Sequence, residues 1–259
     1  MRILQISPQL HALQFPEVND LNVFVWNDDA EVSLIDSGPP GSAEEIGRGL
    51  AELGFEREQV RRLVITHAHA DHIGAAAAIR DWGAQVLVHR ADAGVVRGSR
   101  VAPPPVLREW EIPIAEALPP FSPPPPSPVD RELDDADRIA FGGGAEVIAV
   151  PGHTAGSIAL HLARHRLLFT GDTLANVGGV TMPGVFNADS AAVEDAVARL
   201  AGLEVETICV GHGDVLFGAA AAAWRAGQGV REGGWVPPWD QRCGRPTGRR
   251  AGAEADPLT

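Results

Sequence analysis

At 259 residues the chain is long enough for one large α/β domain, and its formal net charge is −13. That acidic balance argues against a nucleic-acid partner, which would call for a basic face, and no apolar stretch approaches the length of a membrane span. All 21 basic residues are arginine and tyrosine is absent, so neither lysine nor tyrosine is available as acid, base or Schiff-base former.

The first residues, Met1 to Ile6, hold one charge and a short strand-like run instead of the long apolar core of a secretory signal. The expected compartment is therefore the cytoplasm. Strand-like runs follow at Leu21 to Trp26 and Val32 to Ile35, and Ala43 to Leu53 has a helical composition. The next run, Leu63 to Thr66, ends in His67-Ala68-His69-Ala70-Asp71-His72, after which alanine-rich Ile73 to Asp81 reads as helix. Three imidazoles and a carboxylate in six residues point to metal binding, because these are the donors a borderline cation such as zinc takes. At the strand end His67 and His69 can point one way. Asp71 and His72, in the first helical turn, then face a different point nearby, so one short segment can serve two ions.

Val86 to His89 reads as a further strand. Val101 to Val129, with Pro103-Pro104-Pro105 and Pro123 to Pro126, favours extended polyproline geometry over helix or strand and reads as an insertion. It is either a passive surface loop or a lid over the metal edge; a lid would use Trp110, Leu118 and Phe121 as apolar contacts and Arg100 or Arg108 as anion contacts. Val147 to Val150 then leads into Pro151-Gly152-His153-Thr154, and Ile158 to Leu162 is a plain strand. Leu167 to Thr170 leads into Gly171-Asp172-Thr173, and Thr207 to Cys209 into Val210-Gly211-His212-Gly213. Glycine beside each polar residue lets the backbone turn tightly and approach an ion closely. Leu174 to Asn187 reads as a glycine-rich loop leaving that edge, with Asn176, Met182, Phe186 and Asn187 as candidates for a substrate mouth. Helices are expected at Ser190 to Leu200 and Ala219 to Arg225. Gly227 to Thr259 lacks periodicity and reads as a poorly ordered tail, so residues 1–226 form the single domain. The two cysteines, Cys209 and Cys243, do not suggest a disulfide framework.

The HxHxDH run at 67 to 72, followed in order by His153, Asp172 and His212, resembles the metallo-β-lactamase-fold superfamily over roughly Leu21 to Phe217. Within it the glyoxalase II-like hydrolases are the most similar group. The resemblance implies an α/β fold, an αββα sandwich of two mixed β-sheets flanked by helices. It implies that His67, His69 and His153 hold a first metal, that Asp71, His72 and His212 hold a second, and that Asp172 bridges the two. Asp71 is also the candidate catalytic residue. Asp36 matches an aspartate that supports the ligands from behind, although a strand-end turn residue is an equal reading. The expected cofactors are two zinc ions, with iron or manganese as alternatives, and the expected partner is a small-molecule substrate.

The implied chemistry is hydrolysis, in which a hydroxide bridging two metals attacks an acyl carbon. Thioesters, activated esters and lactones are favoured, because a thiol with a pKa of about 8.5 departs with little help from a protonating residue. Lactonases with an active-site tyrosine are matched imperfectly. Glutathione thioesters are not indicated, since glyoxalase II proper carries a basic carboxy-terminal helical domain. Readings from other classes are a mononuclear iron-dependent sulfur dioxygenase acting on persulfides and a metal-stabilised binding module.

Overall fold

Strands β1 (Arg2–Gln5), β2 (Leu10–Phe15), β3 (Leu21–Asp28) and β4 (Glu31–Ile35) pair antiparallel in turn. Helix α1 (Ala43–Glu52) then crosses to β5 (Val60–Ile65), which runs parallel to β4. Helices α2 (Ala70–Ile73) and α3 (Ala76–Asp81), strand β6 (Gln85–His89), helices α4 (Arg90–Val96) and α5 (Ile112–Ala117), and strand β7 (Arg131–Leu133) complete the first half. The second half opens with β8 (Arg138–Ile139), β9 (Ala145–Ala149), β10 (Ile158–Leu162), β11 (Leu167–Val177) and β12 (Val180–Pro183), an antiparallel series. Helix α6 (Ser190–Ala201) returns to β13 (Thr207–Gly213), parallel to β11, before β14 (Leu216–Phe217) and α7 (Gly218–Arg225). This computed structural model describes residues 1–227, so the tail expected from Gly227 onward lies, but for that first residue, outside the described residues.

Three buried clusters define the layers. Successive residues of a strand point to opposite faces, and here both faces are covered. Val23, Val25, Leu63 and Ile65 pack against Ile46 and Leu50 of α1 and Ile79 of α3. Their neighbours Phe24, Trp26 and Val64 turn the other way and meet Val147, Leu160, Leu162 and Phe169 of the second half. On the far side Ile148, Ala159, Leu168 and Ile208 pack on Leu200 of α6 and on Ala221 and Trp224 of α7. Helix on sheet, sheet on sheet and sheet on helix is the αββα sandwich, and burial on both faces is why the strands read as unbroken apolar runs. The two halves are also hydrogen-bonded to each other along the path β7-β6-β5-β4-β3-β13-β11-β10-β9-β8. They join through the single register pair Leu21 and His212, which puts His212 at the seam between the layers.

Several segments differ from their sequence expectation. The run Ile73 to Asp81 is not one helix: Ile73 ends α2 and α3 starts only at Ala76, with the Gly74 N–H donating to the Gly38 carbonyl at 2.9 Å in between. The stretch Leu174 to Asn187 is not simply a loop: β11 continues to Val177 and pairs with β12 from Leu174 to Pro183. The proline-rich insertion contains one helical turn and a half, α5, where prolines give way to Ile112-Pro113-Ile114-Ala115-Glu116-Ala117. Helix α4, unassigned in the sequence, begins where the His89 ring accepts the Ala91 N–H at 3.3 Å as an N-cap. No helix among the described residues is long and apolar enough to cross a membrane.

Candidate metal centre

Four chain segments deliver polar groups to one edge of the sandwich. His67 and His69 follow β5, with His69 as the N-cap residue of α2, and Asp71 and His72 occupy that helix. His153 follows β9, His212 lies near the end of β13, and Asp172 sits in β11 where the pairing register to β13 shifts between Gly171 and Ala175. That irregularity lets Asp172 leave the regular alternation. Gly211, beside it, has no room for a side chain, because a Cβ there would run into the Asp172 carboxylate.

The donor atoms form three overlapping groups, each within 4.8 Å: His67, His69 and His153; His67, His72 and Asp172; Asp71, His72 and His212. Asp172 reaches into both halves. Its Oδ2 lies 3.9 Å from His67 Nε2, 3.5 Å from His153 Nε2 and 3.4 Å from His212 Nε2, while its Oδ1 lies 3.4 Å from His72 Nε2. Asp71 Oδ2 lies 3.4 Å from His212 Nε2. The Nε2 atoms of His67, His72 and His153 and Oδ1 of Asp172 are buried without a hydrogen-bond partner. Each such group costs about 1–3 kcal/mol if left alone. Convergent orphaned nitrogen and carboxylate donors are what divalent cations of the zinc type satisfy, so the residues fit the metals that the sequence pattern implies.

The opposite ring nitrogens are held from behind. Asp36, 2% exposed, accepts the Thr66 N–H at 2.7 Å and the Thr66 hydroxyl at 2.8 Å, and its Oδ2 lies 2.9 Å from His72 Nδ1. Thr66 Oγ1 in turn lies 3.0 Å from His67 Nδ1. Asn187 Oδ1 lies 3.0 Å from His153 Nδ1, and the Asn19 carbonyl lies 3.2 Å from His212 Nδ1. Four of the five imidazoles thus have one nitrogen engaged, which fixes the ring so that Nε2 faces the cluster. Replacing such a partner typically weakens metal affinity about 10–100-fold. Asn187→Ala is expected to do so at the His67, His69 and His153 set, read by competition with a chromophoric zinc chelator; unchanged competition would show that His153 needs no such support.

Residues 19–212 match the metallo-beta-lactamase superfamily. The chain belongs to that superfamily. The probable metallo-hydrolase YflN of Bacillus subtilis is 30% identical over 204 residues, 71% of this chain and 76% of that protein. A hydroxyacylglutathione hydrolase of Cereibacter sphaeroides is 29% identical over 208 residues; the match covers 78% of this chain but only 66% of that relative. A metallo-beta-lactamase family protein from Thermus thermophilus shares the fold with a TM-score of 0.64 at 21% identity, over 86% of this chain and 79% of that one.

In this member of the metallo-beta-lactamase superfamily, two buried carboxylates outside the cluster tie its parts together, and sequence reading singled out neither. Asp92, in the first turn of α4, accepts the Ala68 N–H at 2.8 Å and the Thr154 hydroxyl at 2.7 Å through Oδ2, and the Gly156 N–H at 3.0 Å through Oδ1. It therefore clamps the His67–His69 turn to the His153 turn. Glu111, in the insertion, accepts the Phe186 N–H at 3.0 Å and the Arg108 N–H at 2.7 Å, and the Val106 N–H donates to the Asn187 carbonyl at 2.8 Å. The insertion is anchored directly behind Asn187 and so behind His153.

The contacts expected of the insertion and of the substrate mouth are redistributed. Leu118 and Phe121 are 39% and 44% exposed, and Ala102, Pro103 and Pro105 reach the edge beside His69 and His153 instead. Arg108 pairs with Glu194 at 3.1 Å, and the Arg100 guanidinium donates to the Ala91 carbonyl while lining the cavity beside His69 and His153. Asn176 is also built into the scaffold: its amide donates to the Asp214 carbonyl at 2.8 Å, because β11 pairs with β12 and lies beside β13 at that point. Met182 is buried in the same hairpin. Of the four mouth candidates, Phe186 lines a cavity at the edge and Asn187 touches His153.

Charge divides the cluster. Burial is the largest influence on His67, His69 and His153 and pushes all three imidazoles down, His69 to about 3, so these rings are neutral donors. At His72 and His212 burial acts the same way but the surrounding carboxylates, Asp172 foremost, outweigh it: His72 is raised well above its usual range and His212 to about 10. Burial works against ionising Asp71 and Asp172, yet the neighbouring histidines hold Asp71 at about 2 and Asp172 well below the usual carboxylate range. Neutral imidazoles and ionised carboxylates are the protonation states that metal binding requires; His72 and His212 would have to give up a proton.

Proposed function

We propose that this chain is a binuclear metal-dependent hydrolase that cleaves thioester, activated ester or lactone bonds of a small-molecule substrate, with zinc as its metal and iron or manganese as substitutes. The reading rests on one observation above others: the two oxygens of Asp172 reach histidines of both donor sets, while the Nε2 atoms of His67, His72 and His153 are buried and unpaired. His67, His69 and His153 would hold one cation and Asp71, His72 and His212 the other, with Asp172 between them. Bound there, divalent cations would supply Lewis acidity toward an acyl oxygen and lower the pKa of water to about 7.

The chain's own residues supply orientation and restrict the leaving group. Asp36 and Asn187 hold His72 and His153 in place, and Asp71 and Asp172 stay ionised. Asp71 lies 3.4 Å from His212 Nε2 and, ionised, would offer its carboxylate to the same cation. With lysine and tyrosine absent from the chain, no such side chain can protonate a departing alkoxide. A thiolate, from a thiol of pKa about 8.5, departs without one. Relatives at 29–31% identity named hydroxyacylglutathione hydrolase support acyl substrates.

The test is metal quantification of unsupplemented protein, followed by zinc-loaded turnover of a thioester, lactone, phosphodiester and β-lactam panel. Two zinc equivalents per chain, a higher melting temperature on loading, and thioester or ester cleavage ahead of the other bonds are expected. A single iron with oxygen uptake on a persulfide would replace the hydrolase with a dioxygenase, and metal without turnover of either kind would leave a binding module.

A further inference from the structure

Beside His69 and His153 the structure holds a cavity of about 90 Å³. Its walls come from three segments distant in sequence: Val95 of α4, Ala155 after His153, and Pro103 and Pro105 of the insertion, closed by Phe186. These walls are carbon. The lining also holds Asp92, whose two oxygens accept three protein donors, and Arg100, whose guanidinium donates to the Ala91 carbonyl. A polar substituent laid against Val95, Pro103, Pro105, Ala155 and Phe186 would lose hydration without gaining a hydrogen bond from those side chains.

We infer that this cavity is the subsite for the acyl side of the substrate and selects a short apolar acyl chain. The inference rests on the proposed acyl hydrolysis at the adjoining histidines and names the group that points into the cavity. Size sets the chain length. A cavity of about 150 Å³ accommodates benzene, so one of 90 Å³ has room for a chain of roughly four carbons on the same scale. The insertion thereby gains a specific role, because it walls the subsite through Pro103 and Pro105 and is fastened through Glu111 to the Phe186 backbone.

The experiment uses the zinc-loaded full chain and a series of thioesters of one thiol with acetyl, butyryl, hexanoyl and decanoyl groups. Burying one methylene improves kcat/KM about fourfold, so butyryl should exceed acetyl by roughly tenfold or more and decanoyl should fall back. Ala155→Leu should lower the butyryl-to-acetyl ratio about tenfold, and Phe186→Ala should move the optimum toward hexanoyl. Cleavage with a flat chain-length profile, or ratios unmoved by both variants, overturns the subsite while leaving the hydrolase standing. If no member of the series is cleaved, thioesters are excluded as substrates, the ester and lactone panel decides the hydrolase reading, and calorimetry with free butyrate, acetate and decanoate decides the cavity. Butyrate binding tighter than both others, and weakened by Ala155→Leu, supports it; equal or absent binding overturns it.

Discussion

Asp172→Ala is expected to reduce bound zinc from two equivalents to one or fewer and to lower kcat/KM by about a thousandfold or more. The size follows from position: one carboxylate reaches His67, His153 and His212 through Oδ2 and His72 through Oδ1. Removing it takes away a donor from both sets and a negative charge between four imidazoles, three of them buried, and metal-based charge stabilisation is worth several kcal/mol in such reactions. Inductively coupled plasma mass spectrometry on dialysed protein, with turnover of the best substrate, measures both effects. Equal zinc in the variant and the parent would exclude a bridging role for Asp172.

Asp92→Ala is expected to lower the melting temperature by about 6–12 °C and to weaken zinc binding by about 10–100-fold, although Asp92 is assigned to neither ligand set. The substitution leaves the Ala68 N–H, the Gly156 N–H and the Thr154 hydroxyl without their acceptor. Allowing for water and for the remaining Thr154 contact to Ser157, about 3 kcal/mol is lost, and in a domain of this size each kcal/mol is about 2–4 °C. Asp92→Asn should be little better, because its amide nitrogen would face a donor. Melting curves with and without zinc separate the two consequences. A fall in stability with zinc affinity intact would make Asp92 a fold residue only, and no change in either would remove the clamp altogether.

Ligand candidates were legible in the sequence for a local reason. His67 to His72 lie within six residues at a strand end, and His153, Asp172 and His212 each follow an apolar run and neighbour a glycine. The layered fold was legible too, since Val23 to Trp26 and Leu63 to Ile65 are apolar at every position, the mark of strands covered on both faces. Less legible were elements whose residues fit several states. The β11–β12 hairpin through Leu174 to Pro183 resembles a loop in composition, and α4 has only its cap and one acidic residue in the first turn to announce it.

The sequence by itself determined the donor types, their order and the absence of lysine and tyrosine, because those are properties of single residues and short spacings. The tertiary structure alone decided which distant groups share atoms. Asp92 meets Ala68 across 24 positions and Thr154 across 62, and Glu111 meets Phe186 across 75. No periodicity encodes such pairs; they exist because the curled sheet brings the ends of β5, β6 and β9 to one edge and the insertion folds back across it. The same folding encloses the cavity between Val95, Pro103, Pro105, Ala155 and Phe186, whose shape depends on backbone placement that side-chain identity leaves open.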